Sequence, residues 1–290
     1  QIFMNYAAVD PALTNDRCNF WHFRFDADID MKMLALSGAI AADPSIERVY
    51  LINQDYSFGH AVSKAAKSML AEKRPDVEIV GDDLHPLGKV KDFAPYIAKI
   101  RAAGADSVIT ANWGADLALL VKAAKDSGVD VDFYTYYAGL AGGPTAIGEA
   151  GVDRVKQVGQ WHVNVGGEKS DAVVESYRGR YPQHNDDLFF ITLKYGMELL
   201  AQSIDKAGST DALSVARELE QGRYEAVTGE VWIRPDNHQL MQPLYVSTFK
   251  NMGEDGVKYE VELTGTGPKT DFVVKAEDTT LPTTCDMIRP

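Results

Sequence analysis

From Glu47 to Val163, short apolar runs alternate with longer stretches whose apolar positions recur every three or four residues. Glu47–Asn53 (ERVYLIN) has the length and content of a buried strand. After it, Phe58, Ala61, Val62, Ala65, Ala66, Met69 and Leu70 fall at helical spacing, and Arg74-Pro75 stops the helix. The same reading predicts strands at Val77–Val80, Asp106–Asn112 and Gln157–Val163. It predicts helices at Asp92–Ala103, Asp116–Asp126 and around Pro144–Glu149. The stretch from Asp132 to Tyr137 (DFYTYY) adds a strand that is aromatic where a buried parallel strand is usually Val, Ile and Leu. This βαβ rhythm folds as a mainly parallel sheet with helices on both faces. One α/β lobe is therefore expected between about Phe25 and Val163.

The pattern then changes. Three helices follow in near succession, at about Ser170–Arg180, Leu188–Lys206 and Asp211–Glu220. Val227–Ile233 and Leu244–Lys250 read as strands, with a turn at Arg234–His238 between Ile233 and the second of them. Those helices need a sheet to cover, and Ile2–Asn5 is the best candidate for it. A second lobe built from the chain start and later segments follows, with the chain crossing between lobes more than once. The tail from Asn251 has weak periodicity and is expected to wrap a surface. No internal repeat or low-complexity tract is present.

With 290 residues, 45% of them hydrophobic, the chain is long enough for two cores. A net charge of -13 argues against a nucleic-acid or other phosphate-binding surface. No run of about 18 apolar residues suggests a membrane helix. The opening QIFMNYAAV reads as a strand already under way without a signal peptide, so a mature or truncated product is expected. Cys18 and Cys285 stand near opposite ends, outside any C-x-x-C or Cys/His cluster. They are either two buried thiols or, in an exported protein, one disulfide tying the tail to the start.

Enzyme signatures are missing: there is no G-x-S-x-G, no P-loop lysine and no H-E-x-x-H. The six histidines are scattered, so no metal is expected. The glycines between Gly139 and Gly143 lack dinucleotide-binding spacing. No catalytic residue and no cofactor are therefore assigned. More informative are three successive strand-to-helix loops: Asn53–Gly59, Ala111–Asp116 and Tyr136–Gly139. Each offers aromatic or amide groups at the carboxyl edge of the sheet, where α/β folds bind ligands.

At these loops the sequence resembles the branched-chain-amino-acid-type periplasmic solute-binding proteins, the type I Venus-flytrap family of ABC importers. The resemblance runs from near residue 5 to about 250. It rests on Pro11-Ala-Leu-Thr14, Asp55-Tyr-Ser-Phe-Gly59, Ala103-Gly-Ala-Asp106, and Val227–Ile233 with the Asp236-Asn-His-Gln239 turn. The tail and its cysteine look like a subgroup associated with aromatic-compound catabolism.

The resemblance implies two α/β lobes joined by three crossovers, near His22–Phe25, Gln160–Val163 and Gln239–Pro243, closing on a solute by hinge motion. Lobe 1 would comprise residues 1–23 and 163–240, lobe 2 residues 24–162 and 241–255, and residues 256–290 would return toward lobe 1. Full-length relatives begin with several βα units ahead of this start, so lobe 1 is expected to be incomplete. Family members hold the ligand carboxylate at positions matching Asn5, Ala7, Ala8 and Val9, where Val9 replaces a hydroxyl residue. The second lobe's wall would be Tyr56, Phe58, Asn112, Trp113, Tyr136 and Tyr137. Phe58 stands where the family has tyrosine.

The family's acid, which holds the ligand's α-ammonium, falls at about Tyr137, and neither neighbour, Tyr136 or Ala138, is acidic. An ammonium buried without a carboxylate is poorly stabilised. The expected ligand is therefore an aromatic or hydrophobic carboxylic acid without an α-amino group. The expected partners are this solute and a membrane permease, with the protein a periplasmic monomer that performs no catalysis. The alternatives are an amino-acid-binding protein of the same fold, a ligand-sensing domain, or a doubly wound enzyme.

Overall fold

A computed structural model describes residues 1–183 and 187–290. The chain divides into two compact units: Lys32–Phe189 with Tyr245–Val273, and Gln1–Met31 with Phe190–Leu244 and Val274–Pro290.

In chain order, β1 (Phe3–Asn5) and β2 (His22–Arg24) belong to the smaller unit. Helix α1 (Ile29–Ala42) enters the larger unit at Lys32. There follow β3 (Arg48–Gln54), α2 (Ser57–Lys73), β4 (Glu78–His85), α3 (Ala94–Ala102), β5 (Ser107–Thr110) and α4 (Gly114–Asp126). Then come β6 (Asp132–Thr135), α5 (Gly143–Ile147), β7 (Val155–Gly159) and α6 (Glu168–Arg180). The smaller unit resumes with α7 (Ile191–Ala207), α8 (Ala212–Glu220), β8 (Arg223–Ala226), β9 (Gly229–Ile233) and β10 (Leu240–Met241). Strands β11 (Leu244–Asn251) and β12 (Thr266–Val274) return to the larger unit.

The larger unit is built on a seven-stranded sheet of order β12-β11-β7-β6-β5-β3-β4. Strands β3 to β7 pair in parallel, and β11 runs antiparallel to β7 with Tyr245 opposite Gly159. This is the mainly parallel, helix-flanked sheet that the apolar rhythm predicts. Ile52, Val108, Phe133, Leu120 and Ile97 are fully or almost fully buried in one cluster. Each such side chain contributes about 1.5–3 kcal/mol relative to exposure.

Two elements depart from the sequence reading. Helix α1 was not anticipated, because IDMKMLALSGAIAA is apolar on nearly every side and carries no helical stripe; Met33, Ala35, Leu36 and Ile40 are all fully buried. The tail does more than wrap a surface, since β12 is the edge strand of the large sheet. Its alternating exposure and its Pro268 suit an edge and hide it from a search for apolar runs.

In the smaller unit, β1 pairs in parallel with β2, Phe3 opposite His22, and Arg24 bridges in parallel to Gln239. Strands β10, β9 and β8 form an antiparallel sheet. Arg24 is fully buried and four of its five N–H donors are used: Nε to Gln239 Oε1 at 2.6 Å, Nη1 to the Asp10 carbonyl at 2.6 Å, and Nη2 to Asp28 and Thr14. Cys18 and Cys285 form a disulfide with a Cα–Cα distance of 5.6 Å. The sequence reading draws its middle boundary at 162/163, whereas the units divide at 189/190. Asn164 binds the backbone of Lys258 and Tyr259 through both ends of its amide, which holds the segment after Val163 to the larger unit.

Candidate functional site

The carboxyl ends of β3, β5 and β6 carry the three loops singled out above. At the first, Gly59 lets α2 start directly against the strand it follows. A Cβ there would lie 2.0 Å from the Gln54 carbonyl oxygen. This close approach seats Phe58 against the sheet edge, 8% exposed.

Phe58 is the hub of an aromatic chain. Its ring meets Tyr136 edge-on at 5.5 Å and lies 5.8 Å from Tyr137 and 6.0 Å from Tyr56. Trp113 joins from the second loop by donating its indole N–H to the Tyr56 hydroxyl at 2.9 Å. Phe189 extends the chain at 6.5 Å from Tyr137. Five of the residues expected from the sequence, Tyr56, Phe58, Trp113, Tyr136 and Tyr137, are thus in one connected group. Their exposures divide the labour: Tyr136 is fully buried and supports the wall, Trp113 is 38% exposed, and Tyr56 and Tyr137 are half-buried. Burial raises the Tyr56 pKa, against the opposing effect of the Trp113 hydrogen bond. The phenol stays protonated at neutral pH.

Lys32 was not singled out in the sequence, where it is one cation in the apolar run of α1. It is 2% exposed, with Nζ 3.1 Å from the Tyr137 hydroxyl oxygen and 4.3 Å from the centre of that ring. The ammonium thus places a positive charge against the Tyr137 ring and hydroxyl.

Asn112 takes a different position from the rings. It is fully buried, and its Oδ1 lies 2.9 Å from Nε2 of His85, the last residue of β4. Among the described residues its Nδ2 has no partner, and neither has Gln54 Oε1 at the end of β3. A buried donor and a buried acceptor left unmet at neighbouring strand ends are what an ordered water or a polar solute satisfies.

The other four expected residues lie in the smaller unit. Asn5 folds back on its own loop: Oδ1 accepts from the Ala7 and Ala8 amides at 3.1 and 2.8 Å, and Nδ2 donates to the Ala8 carbonyl at 2.8 Å. Nδ2 also lies 3.0 Å from His22 Nε2. Burial, with Arg24 nearby, lowers the His22 pKa to about 4, so the ring is neutral and accepts from Asn5. Val9 is 7% exposed, and its carbonyl accepts from the Ile29 amide at 3.1 Å. Here Asn5 organises the turn, and the Ala7 and Ala8 amides are directed at its side chain.

Among the described residues, no three His, Cys, Asp or Glu side chains are placed to hold a metal ion. No described helix is long and apolar enough to cross a membrane.

Comparison with known proteins agrees with this architecture. A family model described as "Periplasmic binding protein" matches residues 1–256. A Leu/Ile/Val-binding protein homolog 4 of Brucella melitensis is 31% identical over 268 residues, covering 89% of this chain and 63% of that relative. The chain thus spans less than two thirds of that relative's length. A leucine-, isoleucine-, valine-, threonine- and alanine-binding protein of Brucella ovis, solved in a closed conformation, superposes with a TM-score of 0.89 at 26% identity. That match covers all of this chain and 74% of the other. A solute-binding protein of an ABC transporter from Rhodopseudomonas palustris, solved with p-hydroxybenzoic acid, shares the fold with a TM-score of 0.79 at 18% identity, over 95% of this chain and 72% of its own. The chain belongs to the periplasmic binding protein family.

Proposed function

We propose that this chain is part of the solute-binding component of an ABC importer. It works in a Gram-negative periplasm, captures a small molecule without altering it, and delivers it to a membrane permease. Family membership supports this reading, and so does the aromatic group at the sheet edge.

The solute is an aromatic or hydrophobic carboxylic acid lacking an α-ammonium. The observation that carries this is the Lys32 ammonium on Tyr137, the position where the family resemblance would call for an acid. Trp113, Tyr56 and Tyr137 offer ring faces for stacking, and such pairs contribute about 0.5–1.5 kcal/mol beyond burial. The Lys32 ammonium brings positive charge to this wall, and Asn112 Nδ2, without a partner among the described residues, is a donor suited to a carboxylate or a phenolic oxygen. One relative is named for branched-chain amino acids and one solved neighbour in fold holds p-hydroxybenzoic acid, so the two classes are the natural competitors.

Isothermal titration decides between them. 4-Hydroxybenzoate and phenylpropenoid acids are expected to bind, with leucine and valine inert. Sub-micromolar binding of leucine or valine, with the aromatic acids inert, overturns the reading.

A further inference from the structure

The loop that follows β6 carries Tyr136 and Tyr137 and then turns back on itself. The Leu140 amide donates to the Tyr137 carbonyl at 3.1 Å, and Gly143 lies against the Ala138 carbonyl, where a Cβ would come within 2.4 Å of the oxygen. Two side chains from distant parts of the larger unit grip this loop. We propose that Glu262 and Gln157 are positioning residues for the aromatic wall, taking that wall as the solute site proposed above: they fix the loop's backbone and, through it, the place of Tyr137.

Glu262, in the connection between β11 and β12, is 6% exposed. One carboxylate oxygen accepts from the Gly142 amide, and the other accepts from the Thr145 amide at 2.9 Å and the Thr145 hydroxyl at 2.7 Å. These donors flank Gly143, so the carboxylate holds the loop closed against Ala138. A buried carboxylate met by amides is a directional anchor, and such charge-assisted bonds are about twice as strong as neutral ones. Both Glu262 and Leu263 have left-handed backbone, with φ of 53° and 57°. Residues other than glycine take that conformation rarely, and it persists where the surroundings over-determine it.

Gln157 acts at the other end of the loop. It stands on β7, 3% exposed, and its Oε1 accepts from the amide of Gly139, just beyond Tyr137. The loop is thus held at Gly139, Gly142 and Thr145 by acceptors that belong to neither β6 nor α5.

Packing alone does not fix the loop. A cavity of about 30 Å³ lies beside it, lined among others by Gly139, Pro144, Gln157, Phe189 and Glu262. Atoms that line a void have no packing partner on that side. The Tyr137 ring lies 5.8 Å from Phe58 and 6.5 Å from Phe189, so a loop released from its acceptors can shift toward that space and carry the ring out of place against Phe58.

The test compares Glu262→Gln, Gln157→Met and, as a control, Glu254→Gln, which changes an exposed carboxylate in the same connection. Glutamine keeps the size of Glu262 but has a single acceptor oxygen, so its NH2 group must face an amide N–H. Titration calorimetry with 4-hydroxybenzoate should show binding weakened by about two- to tenfold in Glu262→Gln and in Gln157→Met, the worth of one misplaced ring contact. The control should bind as the parent does. Near-ultraviolet circular dichroism of the solute-free proteins should divide them in the same way, because the tyrosine signal reports the surroundings of the rings. In a Tyr137→Leu background, Glu262→Gln should alter neither readout further. A lowered urea midpoint with unchanged affinity and unchanged dichroism in both variants would mean that the two side chains only stabilise the fold, and it overturns the proposal. Full-sized effects of Glu262→Gln in the Tyr137→Leu background overturn it too. Should 4-hydroxybenzoate fail to bind the parent, the solute reading falls, and the dichroism comparison, which needs no solute, decides the positioning role alone. Gln157→Met remains informative if Glu262→Gln does not fold.

Discussion

The Lys32 ammonium lies 3.1 Å from the Tyr137 hydroxyl oxygen and 4.3 Å from the centre of the same ring. One side chain thus places a positive charge against the phenol and against the ring face behind it. The charge is held on a buried helix, so the geometry is set by packing and costs little rotamer entropy when a solute arrives.

Replacing Lys32 with Met keeps most of the stem and removes the charge. A charge-assisted hydrogen bond is worth about 1.5–3 kcal/mol, so 4-hydroxybenzoate affinity should fall by about 10- to 100-fold. Titration of parent and variant measures it directly. Unchanged affinity would show that Lys32 braces Tyr137 and does not sense the solute.

Trp113 and Tyr56 should behave as one unit. Trp113→Phe keeps a ring but removes the N–H that fixes the Tyr56 hydroxyl, and Tyr56→Phe removes the acceptor. Each single change is expected to cost about 0.5–1 kcal/mol of solute affinity, near the low end for a hydrogen bond because Trp113 is partly exposed. The double variant should cost less than the sum, since the same bond is lost twice. Simple additivity in a double-mutant cycle would mean the two rings act separately.

Gly59→Ala tests the seat of Phe58. The added methyl would approach the Gln54 carbonyl oxygen to 2.0 Å and the Asn53 Cβ to 3.1 Å, and a backbone oxygen cannot swing aside. The start of α2 must lift from β3, at a cost of about 1–3 kcal/mol as for an overpacked core. Urea denaturation reads this as a lowered midpoint, and solute affinity should fall with it because Phe58 moves. A neutral result would mean the strand end yields more readily than its hydrogen bonding suggests.

Arg24→Met addresses the smaller unit. The methionine fills the stem's space but abandons the Asp28 carboxylate and the Gln239 side chain in a dry site. Breaking a buried pair on one side typically costs about 3–5 kcal/mol. Met at 24 together with Asn at 28 should recover part of that loss, and failure to recover any would place the cost in packing alone.

How much of this was readable from the chain depended on whether a residue's environment is written into its neighbours. Strands β3, β5 and β6 were legible because parallel strands buried on both faces appear as compact apolar runs between turn signals. The loops carrying Tyr56, Trp113 and Tyr137 were legible for the same reason, since a known strand end fixes where the next side chains stand. Lys32 was invisible: a helix buried all round has no polar stripe to give it a period, and a lone lysine inside it looks like noise. Phe189 stands two residues before α7, and its meeting with Tyr137 depends on tertiary contacts far apart in sequence. The family resemblance places Asn5 at the solute's carboxylate. Its own backbone two and three residues on competes for the same oxygen, as Asn side chains commonly do in turns.

His162 supplies a prediction with a defined pH window. The Asn164 amide donates to its Nδ1 at 3.2 Å, so the proton sits on Nε2, directed at Thr270 Oγ1 at 2.8 Å. A second proton would have to enter against the Asn164 N–H in a buried site. Burial accordingly lowers the pKa to about 3, outweighing the nearby Asp271. The unfolded chain's histidine titrates near its usual value of about 6.5. Because the folded value is the lower one, the unfolded state takes up the proton first. Stability is fully present above about pH 6.5 and is lost as pH falls from there toward the folded value. Between pH 7 and pH 5 this one ring should cost about 2 kcal/mol, at 1.36 kcal/mol per pH unit below the unfolded pKa. His22, lowered to about 4, adds a similar slope over the same interval. Urea denaturation at pH 7, 6 and 5 measures the sum. His162→Gln, which does not titrate, should lower stability at pH 7 yet flatten the curve in part, because His22 and His238, both also lowered by burial, keep their share. A parent protein equally stable at pH 7 and pH 5, or a variant with an undiminished slope, would place the pH sensitivity elsewhere.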